Sequence, residues 1–249
     1  MNTDHITEAA RIVRVAEKIV VLTGAGFSTP SGIPDFRGDG GLWVQEDPMA
    51  IASLSGFRRN PQRFFRWFQP LLEKLLSAQP NPAHVALNVL QQAGKMRAVI
   101  TQNIDGLHQR AGSQEVYELH GHVRSATCIV CDRQIPSEAL IKHARRGKAM
   151  PCSCGGVFKP DVVLFEEELP QGLYWLALQA LEQCDVVLVA GTALEVFPVS
   201  SMPLVALDRG ARLLIVNKSA THLDERADVV LRGDVAEILP AITATMANT

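Results

Sequence analysis

The chain has 249 residues, and its 24 Lys and Arg against 26 Asp and Glu give a formal net charge of −2 at pH 7. Apolar residues make up 47% and charged residues 20%, which is typical of one or two globular domains and excludes a disordered or coiled-coil chain. The near-neutral charge gives no reason to expect nucleic acid as a direct partner. No apolar run approaches the roughly 20 residues of a bilayer helix, and the first eight residues are polar. We therefore expect a cytoplasmic protein with no membrane contact.

Short runs rich in Val, Ile and Leu alternate with segments of helical periodicity. Such runs are typical of parallel strands that are covered on both faces. The predicted strands are 18–23, 96–101, 161–165, 185–190, 211–217 and 227–231. The predicted helices are 3–17, 61–78, 81–93, 170–183, 198–209 and 234–247. This alternation predicts an α/β fold with a doubly wound parallel sheet, interrupted by a small inserted module between about 121 and 159.

A glycine-rich string, GAGFSTPSGIPDFRG, follows the first predicted strand at residues 24–38. Gly24 and Gly26 allow a sharp turn whose backbone N–H groups can receive phosphate oxygens. Arg37 lies close enough in sequence to pair with a phosphate. A dinucleotide fingerprint would require Gly where Thr29 stands, so a plain dehydrogenase is disfavoured. A tight turn without any ligand is the alternative for the two glycines alone.

Small or hydrogen-bonding residues also follow three later strands, and the carboxyl ends of parallel strands share one edge of a sheet. These residues are Gln102, Asn103 and Asp105 in TQNID, then Gly191 and Thr192, then Asn217 and Lys218. Together they favour one nucleotide cleft, although each could also be an ordinary loop residue.

Histidine is the usual general base near neutral pH, and His120 lies in ELHGH at the entry to the inserted module. His108 and His122 compete for this role, and spacing alone does not choose among them. A lone histidine is more often structural.

Four of the five cysteines form two close pairs, Cys128 with Cys131 and Cys152 with Cys154. This spacing is close to that of a zinc ribbon, except that the second pair has one intervening residue instead of two. Four thiolates leave no open position for a substrate, so the predicted zinc is structural. Cys184 is expected in the core.

Several strings fall in the same order as in one known family: GAGFSTPSGIPDFRG, TQNIDGLHQRAG, ELHGHV, the paired cysteines, KPDVVLFEE, GTALEV and IVN. From about Ile19 to Pro240 the chain resembles the prokaryotic sirtuins, which are NAD-dependent protein-lysine deacylases. The resemblance implies a Rossmann-like NAD-binding domain built from residues 1–37, 81–121 and 160–249. It also implies a small domain, with a cofactor-loop and helical part at 38–80 and a zinc-ribbon part at 122–159.

The resemblance assigns roles to individual residues. His120 would be the catalytic base, and Asn103 would be a second catalytic residue that places the ribose. Val163, Leu164 and Phe165 would form the edge on which an acyl-lysine peptide adds as a strand. NAD, as co-substrate, would be held by Gly24, Ala25, Gly26, Thr29, Phe36, Arg37, Gln102, Asn103, Ile104, Asp105, Gly191, Thr192, Asn217, Lys218 and Val235.

The implied reaction transfers the acyl group to ADP-ribose with release of nicotinamide. Two departures from the family pattern concern the substrate. Glu166 stands where the family usually has Gly, and we hypothesise that its charge favours peptides with basic flanking residues. Phe68 and Leu71 stand where desuccinylases have Tyr and Arg, so a neutral acyl group is expected.

Two other functions remain open on the sequence alone. An ADP-ribosyltransferase or NAD hydrolase could use the same scaffold. A non-enzymatic NAD sensor or nucleic-acid-binding module is the third reading, favoured only by the basic run at residues 143–148.

Overall fold

The computed structural model describes residues 3–35 and 47–247, and within them it contains two β-sheets. In chain order the strands are β1 (Ile19–Thr23), β2 (Met96–Thr101), β3 (Val116–Glu118), β4 (Gly121–Cys128), β5 (Gln134–Pro136), β6 (Met150–Pro151), β7 (Val157–Val162), β8 (Val186–Ala190), β9 (Arg212–Asn217) and β10 (Val229–Arg232). The larger sheet is parallel, with the order β10-β9-β8-β1-β2-β3. The smaller sheet is antiparallel, with the order β5-β4-β7-β6.

The helices are α1 (Thr3–Val15), α2 (Pro48–Ile51), α3 (Leu54–Arg59), α4 (Pro61–Ser77), α5 (Pro82–Gln92), α6 (Leu107–Arg110), α7 (Ser137–Ala144), α8 (Gln171–Glu182), α9 (Met202–Leu207) and α10 (Val235–Ala247). Short 3₁₀ helices lie at Ala25–Phe27, Thr29–Ser31, Val199–Ser201 and Asp224–Arg226. In the part of the chain that the structure describes, no helix combines the length and the apolar character needed to cross a bilayer.

Both faces of the parallel sheet are covered by helices. Helices α1, α5 and α10 pack on one face, where Ile12 and Leu87 are fully buried with Val21 of β1. Helices α8 and α9 cover the other face, where Leu181 packs in one cluster with Leu22. This two-sided burial explains why the strands are apolar at nearly every position.

The antiparallel sheet has its own core with α4 and α7. Asn60 begins α4 by accepting a hydrogen bond from the Arg63 N–H at 3.0 Å, and Pro61 occupies the first turn. The helix then buries Phe64 and Phe68, whose rings stack with centroids 5.2 Å apart. This third cluster also contains Cys128 and Cys152, so the cysteine-rich module and α4 are packed together.

The predicted fold class is confirmed, but several of its elements differ from the prediction. The run 161–165 is not a strand of the parallel sheet. Its first two residues end β7, which pairs antiparallel with β4, and Phe165 makes only an isolated bridge with Ser53. Strand β3 (Val116–Glu118), at the edge of the parallel sheet, was not predicted. The predicted helix 198–209 is a 3₁₀ turn followed by the shorter α9. Strand β7 also runs across residue 159, the predicted boundary of the zinc-ribbon part.

Candidate active site

Two glycine turns meet where the strand order of the parallel sheet reverses, between β1 and β8. A Cβ added at Gly24 would lie 2.8 Å from the Cβ of Thr192, and one at Gly26 would lie 2.9 Å from the carbonyl oxygen of Gly191. Gly191 itself has a left-handed φ of +63°. Only glycine lets the two backbones approach this closely. The result is a backbone-lined crevice at the switch point of a doubly wound sheet, which is where such sheets bind ligands.

Asn81 holds the glycine-rich loop in place. Its side-chain amide donates to the carbonyl oxygen of Phe27 at 2.9 Å and to Ser31 Oγ at 3.0 Å. Its Oδ1 accepts from the Ala83 N–H at 2.9 Å, which caps α5. Phe27 is fully buried. The loop is therefore fixed at one end by β1 and at the other by the start of α5.

Asn103 and Asp105 form a hydrogen-bonded group with Ser28 below the glycine loop. The Asn103 amide donates to the carbonyl oxygen of Gly24 at 3.0 Å and to Ser28 Oγ at 3.1 Å. Ser28 Oγ donates to Asp105 Oδ2 at 2.7 Å, and the Leu107 N–H donates to Asp105 Oδ1 at 2.8 Å. Burial raises the pKa of Asp105, although these two donors act in the opposite direction.

The other strand-end residues lie along the same crevice. Gln102 donates from Nε2 to Thr192 Oγ1 at 3.0 Å, which joins the turns after β2 and β8. The Asn217 amide donates to the carbonyl oxygen of Ser219 at 3.0 Å. Lys218 forms an ion pair with Asp234 at 2.8 Å. These contacts hold the loop that follows β9 in place at the edge of the cleft.

His120 is half-buried and lies in the wall of the cleft at the junction between the two sheets. Burial lowers its pKa to about 4, and a hydrogen bond to the backbone of Gln102 acts in the opposite direction. The imidazole is therefore neutral at physiological pH and can accept a proton. Its own carbonyl oxygen accepts the N–H of Val163 at 2.8 Å, so the candidate base adjoins the candidate peptide segment.

His108 and His122 lie elsewhere. His108 is buried against Phe27, with ring centroids 5.0 Å apart, and its Nε2 lies 2.9 Å from Thr23 Oγ1. Neither His108 nor His122 lines the cleft. Of the three histidines that sequence reasoning left in competition, only His120 reaches it.

One cleft of about 1130 Å³ brings the predicted residues together. The predicted cofactor and substrate residues that line it are Gly24, Ala25, Gly26, Thr29, Gln102, Asn103, Ile104, Asp105, Val163, Leu164, Phe165, Gly191, Thr192, Asn217, Lys218 and Val235. The predictions for Phe36 and Arg37 fall outside the described residues. Sequence reasoning missed Ser28, although its position two residues after Gly26 was an available signal.

The inner wall of the cleft is apolar where α4 faces it. Phe68 and Leu71 line this wall and are almost fully buried, and Phe64, Trp67 and Leu75 extend it. An apolar wall disfavours a charged acyl group, because an unpaired carboxylate would lose its hydration there.

The backbone of the candidate peptide segment is largely paired within the chain. The Phe165 N–H donates to the carbonyl oxygen of Ala52, and the carbonyl oxygen of Phe165 accepts the N–H of Leu54, both at 2.9 Å. The Leu164 N–H donates to Glu167 Oε2 at 2.8 Å. The segment is thus anchored from two sides, and its role as a docking edge stays a prediction.

The four paired cysteines converge at one point of the small sheet. Their sulfur atoms all lie within 4.8 Å of one another, with 3.5 Å between Cys128 and Cys154 and 3.8 Å between Cys131 and Cys152. Zn–S bonds of about 2.3 Å in a tetrahedron place sulfur atoms about 3.8 Å apart. The observed separations fit a zinc ion held by four thiolates.

The local backbone and charges also suit a cation. Burial opposes ionisation of Cys128, but the backbone N–H groups of Cys131 and Val130 favour it and bring its pKa to about 6. At Cys154 the Gly156 N–H lowers the pKa, whereas the neighbouring thiols raise it to about 12. Four thiolates this close repel one another, and a bound divalent cation offsets that repulsion.

A glycine turn lets the second cysteine pair approach the first. Gly155 has a left-handed φ of +89°, and a Cβ at Gly156 would lie 2.8 Å from the sulfur of Cys128. The single residue between Cys152 and Cys154 is therefore compatible with a four-thiolate site, because this flexible turn follows directly. Cys184 lies apart in the core beside α8, as predicted.

The doubly wound sheet, the switch-point cleft and the four-cysteine module define a nucleotide-binding α/β protein with a small structural metal module. The model of the Sir2 family matches residues 24–198. An NAD-dependent protein deacylase 2 from Archaeoglobus fulgidus is 43% identical over 241 residues, covering 96% of this chain and 95% of the relative. An NAD-dependent protein deacetylase 1 from Pyrobaculum aerophilum is also 43% identical over 241 residues, covering 97% and 94%.

Solved structures agree with these relatives. A Sir2 enzyme structure superposes with a TM-score of 0.94 at 41% identity, covering 98% of both chains. A Sir2 structure with a deacetylated p53 peptide and 3′-O-acetyl-ADP-ribose has a TM-score of 0.91 at 36% identity, covering 96% of this chain and 97% of that one. The chain belongs to the Sir2 family, the sirtuins.

Proposed function

We propose that this chain is an NAD-dependent protein-lysine deacylase, which transfers the acyl group of an acyl-lysine to ADP-ribose and releases nicotinamide. One observation carries the proposal beyond family membership. The carbonyl oxygen of His120 accepts the N–H of Val163, so the only histidine lining the described cleft adjoins the segment proposed to dock the peptide. The glycine turns open into the same cleft.

The residues present fit NAD along the length of the cleft. The backbone at Gly24, Gly26 and Gly191 leaves room for a pyrophosphate to approach. Asn217, Lys218 and Val235 follow the neighbouring strands and would hold the adenosine half. When bound, NAD supplies an activated ribose from which nicotinamide leaves. We extend the assignment to Phe36 and Arg37 on the family resemblance alone.

The chain's own residues then have distinct tasks. His120 accepts a proton from a ribose hydroxyl, because its lowered pKa keeps the imidazole neutral. Asn103 is held rigidly by Gly24 and Ser28, which lets its side chain fix the position of the ribose. Asp105 orients the nicotinamide carboxamide from the same hydrogen-bonded group.

An acyl-lysine peptide is the proposed partner. Relatives have been solved with peptides, including a Sir2 protein with a myristoylated histone peptide at 36% identity and a TM-score of 0.85. In this chain the acyl group would enter towards the apolar wall at Phe68 and Leu71, which favours neutral acyl groups. The separations of the four cysteine sulfurs favour a structural zinc that stabilises the small module.

We also propose a cytoplasmic location. Reduced thiolates that hold a metal persist in reducing compartments, and this chemistry favours the cytoplasm over the cell exterior. Fractionation of cells that express the protein, followed by immunodetection, tests this point.

The function is tested by incubating the purified chain with NAD and an acetyl-lysine peptide, followed by mass spectrometry. The expected products are nicotinamide, the deacetylated peptide and O-acetyl-ADP-ribose in equal amounts. ADP-ribose attached to protein, or free ADP-ribose without a change in the peptide, would indicate the transferase or NAD hydrolase instead. If no NAD is consumed, peptides with longer neutral acyl groups are tested next, and a negative result with these as well would favour the binding module.

A further inference from the structure

Glu166 occupies a backbone conformation that favours glycine. Its φ is +73°, in the left-handed region. It is the third residue of a turn in which the Glu167 N–H donates to the carbonyl oxygen of Leu164 at 3.1 Å. Phe165, the second residue, has no positive φ, so the turn is of the type II class, in which glycine is preferred at the third position. A glutamate here costs backbone energy that glycine would not.

The side chain of Glu166 makes contacts that glycine could not make. Oε2 accepts the backbone N–H of Ser55 at 2.8 Å, and Oε1 accepts the Ser55 hydroxyl at 2.9 Å. Both carboxylate oxygens are thus directed at one residue at the start of α3. Hydrogen bonds to a charged acceptor are stronger than those between neutral groups.

This contact lies beside the pairing of Phe165 with Ala52 and Leu54. Two successive residues, Phe165 and Glu166, therefore tie the turn to one short stretch of chain that precedes α4. Phe165 does so through its backbone and Glu166 through its side chain.

The opposite flank of the turn has a separate anchor. Glu167 pairs with Lys159 at 3.0 Å, and the Lys159 ammonium also donates to the carbonyl oxygen of Val162 at 2.8 Å. Glu167 Oε2 in turn accepts the Leu164 N–H at 2.8 Å. Glu167 therefore fixes the turn to β7, whereas Glu166 fixes it to α3.

We propose that Glu166 is a positioning residue for the acyl-lysine peptide, because its contact with Ser55 holds Val163–Phe165 in place at the mouth of the cleft. The inference rests on the proposed function and deepens it. The contact orders the docking segment before the peptide arrives, so less ordering remains to be done on binding. Glu166 acts on peptide affinity and leaves the chemistry at His120 unaffected.

This role differs from a direct attraction between the Glu166 charge and a basic peptide. Both oxygens of Glu166 are occupied by Ser55, which orients the carboxylate towards α3. Glu168 is an exposed carboxylate two residues further on and is the matched control for charge. If charge alone mattered, Glu166 and Glu168 would contribute alike and only to basic peptides.

The test compares Glu166→Gly, Glu166→Gln and Glu168→Gln with the wild-type enzyme. Gly keeps the left-handed turn and removes the side chain. Gln removes the charge but keeps one acceptor oxygen for the Ser55 N–H, and its amide nitrogen can donate to Ser55 Oγ. Two acetyl-lysine peptides are used, one with neutral and one with Lys and Arg flanking residues. Peptide KM and kcat are measured by steady-state kinetics, and peptide Kd by fluorescence anisotropy without NAD.

We expect Glu166→Gly to raise KM and Kd about fivefold for both peptides, the size of one exposed charge-assisted contact, with kcat within twofold of wild type. Glu166→Gln should raise KM and Kd by less than Glu166→Gly and equally for both peptides, because its hydrogen bonds to Ser55 remain but are no longer charge-assisted. Glu168→Gln should leave both constants within twofold of the wild-type values. Amide hydrogen exchange at residues 163–167 should be fastest in Glu166→Gly and unchanged in Glu168→Gln. This exchange measurement needs no substrate.

Three results would overturn the role. Wild-type affinity and exchange in Glu166→Gly would mean that only the turn conformation matters. A loss limited to the basic peptide, and shared by Glu166→Gln and Glu168→Gln, would mean direct charge attraction. A wild-type enzyme that neither binds nor deacetylates the peptide would overturn the proposed function itself, and with it the role of Glu166.

Discussion

Replacing Gly191 with Ala tests the close packing of the two glycine turns on which the cleft depends. Gly191 has a φ of +63°, and its added Cβ would lie 2.7 Å from both Gly26 C and Phe27 Cα and closer still to the Phe27 nitrogen. All of these are backbone atoms, so no side chain can rotate away. The glycine-rich loop itself would have to move.

Gly94 separates the two costs of this substitution. It has a similar φ of +70°, and an added Cβ would meet nothing within 4 Å. Ala at Gly94 should therefore cost only the left-handed conformation, about 1–2 kcal/mol. Ala at Gly191 should cost that amount plus about 1–3 kcal/mol for overpacking. The difference between the two variants measures the overpacking alone.

Urea denaturation gives the free energy of unfolding of each variant, and calorimetric titration gives its affinity for NAD. We expect Gly191→Ala to be less stable than Gly94→Ala and to bind NAD at least tenfold more weakly, because the glycine loop is displaced. Gly94→Ala should bind NAD as the wild type does. Equal stabilities of the two variants, with unchanged NAD affinity, would refute the packing argument.

The acid limb of kcat/KM should lie near pH 4, because burial lowers the pKa of His120 to about 4 and the base must be unprotonated. A limb centred near pH 6.5 in the pH–rate profile would contradict this assignment. Cys131→Ser should lower bound zinc, measured by atomic emission, well below one equivalent, and should lower Tm, because one of four thiolates is lost. Full zinc occupancy with an unchanged Tm would show that Cys131 is not a ligand of the zinc. The contribution of His84 to the free energy of unfolding should be constant above pH 6.5 and fall as the pH drops towards 4, because burial lowers the pKa of His84 to about 4 and only the unfolded chain then binds the proton. Urea denaturation of His84→Gln should show a weaker fall, and an identical pH profile would contradict the linkage. Succinyl-lysine peptide should be processed far more slowly than acetyl-lysine peptide in a direct competition, because Phe68 and Leu71 offer no cation to a carboxylate. Comparable rates would disprove the neutral-acyl preference.

Much of the fold was predictable, because two-sided burial leaves a strong sequence signal. Strand β2 (Met96–Thr101) matches its predicted run residue for residue. The prediction was wrong at 161–165 because a short apolar run does not reveal which sheet it joins. The burial of β7 in fact alternates along the strand, as expected for an antiparallel strand with one solvated face. Strand β3 has three residues, too few for a periodic pattern, and only its pairing with β2 makes it a strand.

The candidate site was predictable to the extent that it depends on strand ends. Asn103, Thr192 and Asn217 meet because parallel strands deliver their carboxyl ends to one edge. The choice of His120 over His108 depends on tertiary packing, because both lie near strand or helix ends and only one faces the cleft. The apolar wall depends on how α4 lies over the cleft, so Trp67 carried no signal in the sequence.

Glu166 illustrates a feature that sequence reasoning located but interpreted differently. Its departure from the usual glycine was visible in the sequence, and charge attraction to a basic peptide was the natural hypothesis. The structure shows that both oxygens of the carboxylate bond to Ser55, which no local pattern indicates because the two residues lie 111 positions apart.

The most direct test of the account compares His120→Ala with His122→Ala. Each variant is incubated with NAD and an acetyl-lysine peptide, and the deacetylated peptide is measured by mass spectrometry. Of these two histidines, only His120 lines the cleft. His120→Ala should therefore lose at least about 100-fold in deacetylation rate, the usual contribution of a general base. His122→Ala should stay within a few-fold of the wild type. Deacetylation by His120→Ala at the wild-type rate would contradict the assignment of His120 as the base.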